Sequence, residues 1–239
     1  MIERHLRKLR ARDDVDAAEE AALREMVSVT KDFPADRTVI RADVQLDSCM
    51  LLISGLMCRF KDLPNGLRQV TELHVAGDFA DLHSLTLKKL DHHVGTLTAC
   101  KVGIVPHERL RAITERFPHL TRVLWFSTNL DAAIHREWEV SLGRRSALER
   151  MAHLFCEMEV RLEVVGLASN GSFDLLLTQE ELAECLGITP VHVNRTLQQL
   201  REQGLIEFRG GKVTIHDRTG LRQTAFFDPA YLYLEKQAR

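Results

Sequence analysis

The chain has 239 residues, a length that allows two domains, each with its own hydrophobic core. It contains 32 lysines and arginines against 34 aspartates and glutamates, and this net charge of −2 gives no overall indication of a nucleic-acid partner. No apolar run of about 18 residues is present, which excludes a membrane-spanning helix. The charged N-terminus lacks the apolar core of a secretory signal. These features predict a cytoplasmic protein that has no membrane partner.

The five cysteines are scattered and odd in number, and none of them stands in a Cys-x-x-Cys pair. We therefore expect buried structural thiols and no disulfide framework, zinc site or iron–sulfur motif. The five residues are Cys49, Cys58, Cys100, Cys156 and Cys185.

Residues 2–29 are rich in Arg, Ala, Glu and Leu, and their spacing predicts short amphipathic helices with a break at Asp13-Asp14. The dipeptide Phe33-Pro34 is expected to end this helical region. Several basic residues near the start could form a nucleic-acid-binding arm, although a solvated helix face is the preferred interpretation. These residues are Arg4, Arg7, Lys8, Arg10 and Arg12.

Between residues 37 and 105, short β-type runs recur every eight to twelve residues and are separated by turn signals such as Ser54-Gly55 and Pro64-Asn65-Gly66. This spacing predicts an antiparallel β-roll or barrel. The interior of such a roll is either filled by side chains or holds one small ligand. The predicted strands cover residues 38–40, 50–53, 56–60, 68–73, 95–100 and 101–105.

After Pro106 the pattern is helical to about residue 142, and its second part predicts one helix of more than twenty residues with an apolar stripe. This helix could lie on its own roll, but its length favours pairing with a second copy of the chain. Gly143 and the two arginines after it predict a hinge. The stripe consists of Val123, Leu124, Leu130, Ile134 and Trp138.

Residues 177–206 have the pattern of two short amphipathic helices joined by a tight turn. Thr178 is a predicted N-cap, and the carboxylates after it suit the positive end of the helix dipole. Gly187 tolerates the left-handed conformation that ends many helices. Thr189 is expected to cap the second helix, and Pro190 stands at its first position, where no N–H is needed.

Residues 205–208 and 212–215 flank Gly210-Gly211 and predict a β-hairpin directly after the second helix. Two helices, a turn and a hairpin in this order are typical of a winged helix-turn-helix. The alternative is an ordinary helical hairpin within a core. The apolar face of the second helix comprises Val193, Leu197 and Leu200.

A winged helix-turn-helix places its second helix in the major groove of DNA, with N-terminal side chains at the base edges. Arg195 is the predicted base-reading residue because arginine bonds bidentately to guanine, while asparagine pairs with adenine. Thr178 and Gln179 are placed to hold backbone phosphate. The predicted DNA-binding residues are Thr178, Gln179, Thr189, Pro190, His192, Asn194, Arg195 and Gln198.

Residues 144–218 carry nine basic and eleven acidic side chains, so this region is not basic overall. Any DNA affinity must therefore come from the local placement of a few cations and from their duplication in a dimer. The cations in question are Arg195, Arg201, Arg209 and Lys212.

Three further local patterns complete the C-terminal half. Ser146 followed by Glu149 predicts a capping box at the start of a helix, and residues 173–176 predict a short strand. The aromatic segment 226–233 is expected to pack onto a domain surface.

The segment Ala76-Gly77-Asp78-Phe79 and the helix-turn-helix sequences at 177–183 and 187–195 resemble those of the Crp/Fnr family of bacterial transcription regulators. The resemblance covers residues 15–218. It implies an α+β chain with a jelly-roll-like, antiparallel β-roll, a long central dimerisation helix and a C-terminal winged helix-turn-helix. The corresponding domain boundaries are 1–111, 112–143 and 144–239.

The same resemblance implies a dimeric sensor, whose roll receives a signal and whose central helices relay it to the winged helices. It also implies a two-fold symmetric site in double-stranded DNA and contact with RNA polymerase. Thr178 matches a phosphate-contacting position and Arg195 the base-reading arginine. Val191 stands where the family often has glutamate, which leaves the base preference of the half-site open.

Family members that bind cyclic AMP carry an Arg-Ser or Arg-Thr pair after the Gly-Asp or Gly-Glu turn. In this chain Leu90, Asp91 and His92 stand there instead. A carboxylate facing the cyclic phosphate would be repelled, so we expect a roll that does not respond to cyclic AMP. Lys88 or Lys89 could hold a different anion. The N-terminal cysteine set that holds an iron–sulfur cluster in other members is also absent.

Histidines occur in and beside the predicted roll, and imidazole can ligate haem iron or zinc or titrate near neutral pH. No metal spacing such as His-Glu-x-x-His is present, so we prefer surface or satisfied core histidines and expect no cofactor and no metal site. The candidate pocket for an unknown small-molecule effector comprises Gly77, Asp78, His83, Asp91, His92 and His93.

The preferred function is therefore a sequence-specific, homodimeric DNA-binding transcription regulator. The alternative is a small-molecule-binding roll whose helix-turn-helix mediates protein association. An enzyme is not expected, because no nucleophile–base pair, phosphate loop or pair of carboxylates stands at a suitable spacing.

Overall fold

The computed structural model describes residues 1–237 and divides them into two compact units. The first unit contains residues 1–60 and 73–132 and the stretch from Tyr233 onwards. The second contains residues 61–72 and 133–232. None of the helices in the described range is long and apolar enough to span a bilayer.

The N-terminal half begins with two short helices and continues as β-strands. The predicted break at Asp13-Asp14 is confirmed, because it lies between α1 (Glu3–Arg10) and α2 (Ala17–Glu25). The strands are β1 (Val29–Phe33), β2 (Arg37–Ile40), β3 (Ser48–Ser54), β4 (Met57–Asp62), β5 (Arg68–His74), β6 (His93–Thr96) and β7 (Cys100–Pro106). The further helices are α3 (Ser84–Leu87), α4 (His107–Arg116) and α5 (Pro118–Arg144).

The seven strands form two sheets, with strand orders β1-β7-β3 and β2-β6-β4-β5. In the first sheet β7 is central and antiparallel to both neighbours, so that Ile104 pairs with Val29 on one side and with Met50 on the other. In the second sheet β6 is antiparallel to β2 and to β4. The predicted antiparallel roll is confirmed.

Neighbouring residues of β3 pack into two different hydrophobic clusters, because successive side chains of a strand point to opposite faces. Leu51 packs with Leu23 in a cluster that includes residues of the N-terminal helices. Leu52 packs with Met57 and Val102 in a second cluster, which contains residues from both sheets. Apolar side chains therefore fill the space between the two sheets around Leu52.

One predicted strand and one predicted helix end are wrong. The strand expected at 95–100 stops at Thr96, because the N–H groups of Leu97 and Thr98 both donate to the carbonyl of Leu56 and turn the chain. Cys100 then begins the next strand. Residues 29–33, which the sequence placed at the end of a helical region, form the edge strand β1 through pairing with β7. All five cysteines are buried and unbridged, as expected.

The C-terminal half is helical apart from one small sheet. Its elements are α6 (Ala147–Val165), β8 (Ala168–Ser169), β9 (Ser172–Asp174), α7 (Gln179–Leu186), α8 (Pro190–Glu202), β10 (Ile206–Arg209), β11 (Lys212–Ile215), α9 (Arg218–Ala225) and a 3-10 turn (Pro229–Leu232). The sheet has the order β10-β11-β9-β8. β9 is the strand that the sequence placed at 173–176.

The long central helix is confirmed and is 27 residues long. The expectation that its apolar stripe pairs with a second copy is wrong, because all five residues of the stripe are already buried within the chain itself. It continues through Gly143 to Arg144, and the interruption falls at Arg145, the last residue of the predicted hinge, and at Ser146. Ser146 then caps α6, and its N–H donates to Oε2 of Glu149 at 2.7 Å in the predicted capping box.

A buried carboxylate joins three parts of the second unit. Glu157 of α6 accepts hydrogen bonds from Nε1 of Trp138 at 3.1 Å, from the hydroxyl of Tyr231 at 2.9 Å and from Nη1 of Arg161 at 2.9 Å. Burial raises the pKa of Glu157, and the neighbouring Arg161 opposes this shift. The Tyr231 contact confirms that the aromatic tail packs onto the domain.

We expect the substitution Tyr231→Phe to lower the free energy of unfolding by about 1–3 kcal/mol, because it leaves a buried carboxylate with one donor fewer. Urea unfolding followed by tryptophan fluorescence measures this change. Tyr233→Phe is the matched control, since Tyr233 is half exposed and should tolerate the loss of its hydroxyl. Equal effects of the two substitutions would contradict a structural role for the Glu157 contact.

Candidate nucleic-acid interface

The first helix of the pair begins at a capping box. The N–H of Glu181 donates to Oγ1 of Thr178 at 3.2 Å, and the N–H of Thr178 donates to Oε2 of Glu181 at 2.6 Å. Two N–H groups at the helix start are satisfied in this way. The predicted N-cap is confirmed, and it fixes the start of α7.

The turn between the helices requires glycine. Gly187 has a φ of +63°, and a Cβ atom there would lie 3.3 Å from side-chain atoms of Gln69 and Leu142. After this turn the hydroxyl of Thr189 accepts the N–H of His192 at 3.3 Å, and Pro190 is the first residue of α8. The start of the second helix is therefore also fixed by local chemistry.

The second helix has one buried and one exposed face. Val193, Leu197 and Leu200 are buried, as predicted, and Thr196 is buried with its hydroxyl donating to the carbonyl of His192. All eight side chains predicted to bind DNA are exposed. They lie at the N-terminal ends of α7 and α8 and along the outer face of α8.

A reciprocal pair of hydrogen bonds links the two helices at this surface. Nε2 of Gln179 donates to Oδ1 of Asn194 at 2.5 Å, and Nδ2 of Asn194 donates to Oε1 of Gln179 at 2.6 Å. The amide of Asn194 is thereby used within the protein. Sequence reasoning missed this pair, because the two residues are 15 positions apart and no periodicity relates them.

The guanidinium of Arg195 differs from its neighbours in this respect. Nε2 of Gln198 donates to Glu202 at 2.8 Å, whereas in the described part of the chain Arg195 has no hydrogen bond or ion pair. Its five donors therefore remain exposed to solvent, in the fork geometry that matches a guanine edge or a phosphate.

The predicted wing is confirmed as the hairpin of β10 and β11, in which Ile206 pairs with Ile215 and Arg209 with Lys212. Gly210 and Gly211 both have positive φ, and a Cβ atom on Gly211 would lie 2.4 Å from the side chain of Leu176. The wing and α8 border one open groove. Its lining includes Thr178, Gln179, Asn194, Gln198, Arg201 and Arg209.

Of the residues predicted to form an effector pocket in the roll, Gly77 and Asp78 form a turn that contacts helix α1. Asp78 is buried, bonds to Nζ of Lys8 at 2.5 Å and accepts the N–H of Val75 at 3.0 Å. Nδ1 of His5 lies 2.8 Å from the carbonyl of Gly77, and a Cβ atom on Gly77 would be 2.9 Å from the backbone of Arg4. Helix α1 therefore covers the Gly77-Asp78 turn. Lys8 appeared in the sequence only as part of a basic cluster.

The predicted sensory histidines fall into two places. The rings of His83 and His92 lie 5.2 Å apart, and Nδ1 of His92 is 3.0 Å from a carboxylate oxygen of Asp91. His93 instead stacks on Phe60 at 5.1 Å. Across residues 1–237, no three His, Cys, Asp or Glu side chains converge as a metal site would require. The carboxylate of Asp91 is largely exposed and does not face the roll interior, whereas Leu90 is buried.

A second buried carboxylate, Asp81, was not singled out from the sequence. Its Oδ1 accepts the N–H of Met50 at 2.6 Å, and its Oδ2 lies 3.4 Å from the hydroxyl of Ser84. Burial raises the pKa of Asp81 to about 7, although the Met50 hydrogen bond and the charge of Arg59 favour the ionised form.

Two family models match the chain. The Crp-like helix-turn-helix domain covers residues 149–224, and the cyclic nucleotide-binding domain covers residues 30–117. The first match contains α7, α8 and the wing. The second contains most of the roll, and the similarity concerns its fold and leaves its ligand open.

Several curated relatives match most of the chain. The transcriptional activator protein FnrL of Cereibacter sphaeroides is 32% identical over 204 residues, which are 83% of this chain and 80% of FnrL. The nitrogen fixation regulation protein FixK of Bradyrhizobium diazoefficiens is 30% identical over 186 residues, which are 77% of each chain.

A solved structure shows the same fold. The structure of FixK2 from Bradyrhizobium japonicum superposes with a TM-score of 0.75 at 24% identity, and the match covers 82% of this chain and 96% of that one.

The stability of the roll should depend on pH through Asp81. Its pKa in the folded chain lies above the ordinary value of 3.8, so the ionised form disfavours folding. The contribution of Asp81 to stability should be greatest below pH 4 and fall by up to about 1.4 kcal/mol per pH unit between pH 4 and 7. Urea midpoints measured across this range should show a flatter profile for Asp81→Asn. The exposed Asp36→Asn is the control, and an unchanged slope in Asp81→Asn would contradict the assignment.

Proposed function

The chain belongs to the Crp/Fnr family of transcription regulators, and we propose that it acts as a homodimer on a two-fold symmetric site in double-stranded DNA. Its function as a DNA-binding transcription regulator is shared with relatives named as transcriptional activators. In this proposal residues 1–111 form the sensor, residues 112–143 the dimerisation helix and residues 144–239 the DNA-binding domain.

The observation that carries the proposal is the exposed face of α8. A helix that packs one face into its domain and exposes Arg195 on the other has the form of a recognition helix. Arg195 would donate to the O6 and N7 atoms of guanine. His192 and Gln198 lie beside it and would contact neighbouring bases or phosphates.

The residues around the recognition helix would position it on the duplex. Thr178 and Gln179 lie at the N-terminus of α7, where backbone N–H groups and the helix dipole favour phosphate. Thr189 and Pro190 fix the start of α8, and Asn194 holds Gln179 in place. Phosphate contacts of this kind set the register of the protein and carry no sequence information.

A homodimer is supported by the outer face of α5. Its exposed residues include Arg122, Trp125, Asn129, Arg136 and Val140, which follow one another at steps of three, four, seven and four. The side chain of Trp125 is 68% exposed, which leaves a large apolar surface in contact with water. Pairing of two such helices would place two recognition helices about 34 Å apart, one turn of DNA. Sedimentation velocity tests this directly, and a monomer at micromolar concentration would contradict it.

The roll would act as an effector domain that does not bind cyclic AMP. Leu90 is buried where cyclic-AMP-binding relatives have arginine, and the Asp78 carboxylate already pairs with Lys8. A buried phosphate would therefore lack its cation. We propose that the roll holds no cofactor and that any small-molecule effector it binds differs chemically from a cyclic nucleotide. Tight binding of cyclic AMP in calorimetry would contradict this part.

We further propose that the DNA-bound dimer contacts RNA polymerase in the cytoplasm and acts without enzymatic chemistry. Relatives of the chain are named as transcriptional activators, and the resemblance to their family implies contact with RNA polymerase. Purified RNA polymerase and a promoter that carries the bound site would show increased transcription on addition of the protein. No change, or a decrease, would contradict activation.

Replacing Arg195 with alanine is expected to cost about 1–3 kcal/mol of specific binding and to relax the preference at one base pair of each half-site. The reason is the loss of two donors to guanine. Fluorescence anisotropy at fixed salt, with the selected site and its single-base-pair variants, measures both effects.

Arg195→Lys is the matched control, because lysine keeps the charge and loses the fork geometry. It should bind non-specific DNA as the wild type does and share the relaxed preference. A folded Arg195→Ala protein with unchanged affinity and preference would reject Arg195 as the base-reading residue.

A further inference from the structure

The recognition helix exposes a side chain that cannot form a hydrogen bond. Val191 is the second residue of α8 and is 80% exposed, more than any other large apolar side chain in residues 1–237. The apolar packing of α8 is made by Val193, Leu197 and Leu200 and does not involve it. Exposure of this degree at a binding surface calls for a partner group that favours apolar contact.

Val191 lies on the same stripe of α8 as Arg195. Residues four apart on a helix are neighbours on one face, separated by about 6 Å along the axis. This rise corresponds to one or two base-pair steps of about 3.4 Å in B-DNA. If Arg195 contacts a guanine, Val191 therefore contacts the adjacent base pair or the one beyond it.

The chemistry of the base edges limits what a valine can recognise there. In the major groove each base presents hydrogen-bond donors, acceptors or both, and thymine alone adds an apolar group, its C5-methyl. Asn194, which could otherwise read a neighbouring adenine, holds its amide in the reciprocal pair with Gln179. The exposed face at the N-terminal end of α8 thus combines the guanidinium of Arg195 with the apolar side chain of Val191.

We propose that Val191 is a specificity-determining residue that reads the methyl group of a thymine within two base pairs of the guanine bound by Arg195. This inference rests on the proposed DNA interface and names one element of its sequence preference. Each half-site then contains a thymine whose recognition depends on the methyl group and not on its hydrogen-bonding edge.

Deoxyuridine tests the proposal, because it retains the base-pairing edge of thymine and lacks only the methyl. The full-length protein first selects sites from random duplex DNA, and each thymine of the selected half-site is then replaced singly by deoxyuridine. We expect one position at which the replacement weakens binding about fourfold, the value of one buried methyl-sized group. Replacement at the other thymines should have little effect.

Three substitutions assign the effect to Val191, and all are at an exposed position that the fold does not use. Val191→Ala shortens the side chain and should reduce the difference in affinity between the thymine and deoxyuridine duplexes. Val191→Thr keeps a methyl group and should keep the sensitivity. Val191→Glu should change the selected base at this position from thymine to cytosine, whose N4 amino group donates to a carboxylate.

The outcomes separate this inference from the function on which it rests. A selected symmetric site without a methyl-sensitive thymine overturns the inference and leaves the DNA interface intact. A sensitivity that persists unchanged in Val191→Ala also overturns it, because the methyl then contacts another side chain. A folded protein that selects no sequence overturns the proposed function and this inference together.

Discussion

The packing of the apolar stripe of α8 is the interaction on which the DNA-binding half depends. Burial of Val193, Leu197 and Leu200 holds the helix in one rotational setting, because a rotation would expose these side chains and bury charged ones. The same setting leaves Val191 and Arg195 outside. Capping at Thr178 and Thr189 fixes where each helix begins. The exposure of the surface that we propose for reading base edges therefore follows from the requirements of an ordinary core.

The roll has the architecture of a cyclic nucleotide-binding domain, with contacts of its own at the Gly77-Asp78 turn. In this chain a lysine from α1 neutralises Asp78, and the backbone of α1 packs against Gly77. A buried leucine stands at position 90, and apolar residues of both sheets meet in one cluster. These contacts need no nucleotide to satisfy them. The match to the cyclic nucleotide-binding domain thus describes the architecture, and the side chains determine what the architecture can bind.

The sequence was most informative where structure is decided locally. The caps at Thr178 and Ser146 and the turn at Gly187 depend on residues within a few positions, and all were predicted. The edge strand β1 was missed because it is defined by pairing with β7, about seventy residues away, and its own alternation is weak. The Gln179–Asn194 pair and the Lys8–Asp78 ion pair likewise join distant positions. Sequence periodicity does not indicate contacts of this kind. The exposure of the predicted DNA-binding residues could therefore be predicted, but the hydrogen bonds between them could not.

We propose that two copies of the chain present their recognition helices to one symmetric DNA site. Selection of genomic fragments by the purified protein at physiological salt is the decisive experiment. We expect an enriched palindrome whose half-sites are centred about one helical turn apart. A folded protein that enriches no sequence, or enriches a site without two-fold symmetry, would rule out this arrangement.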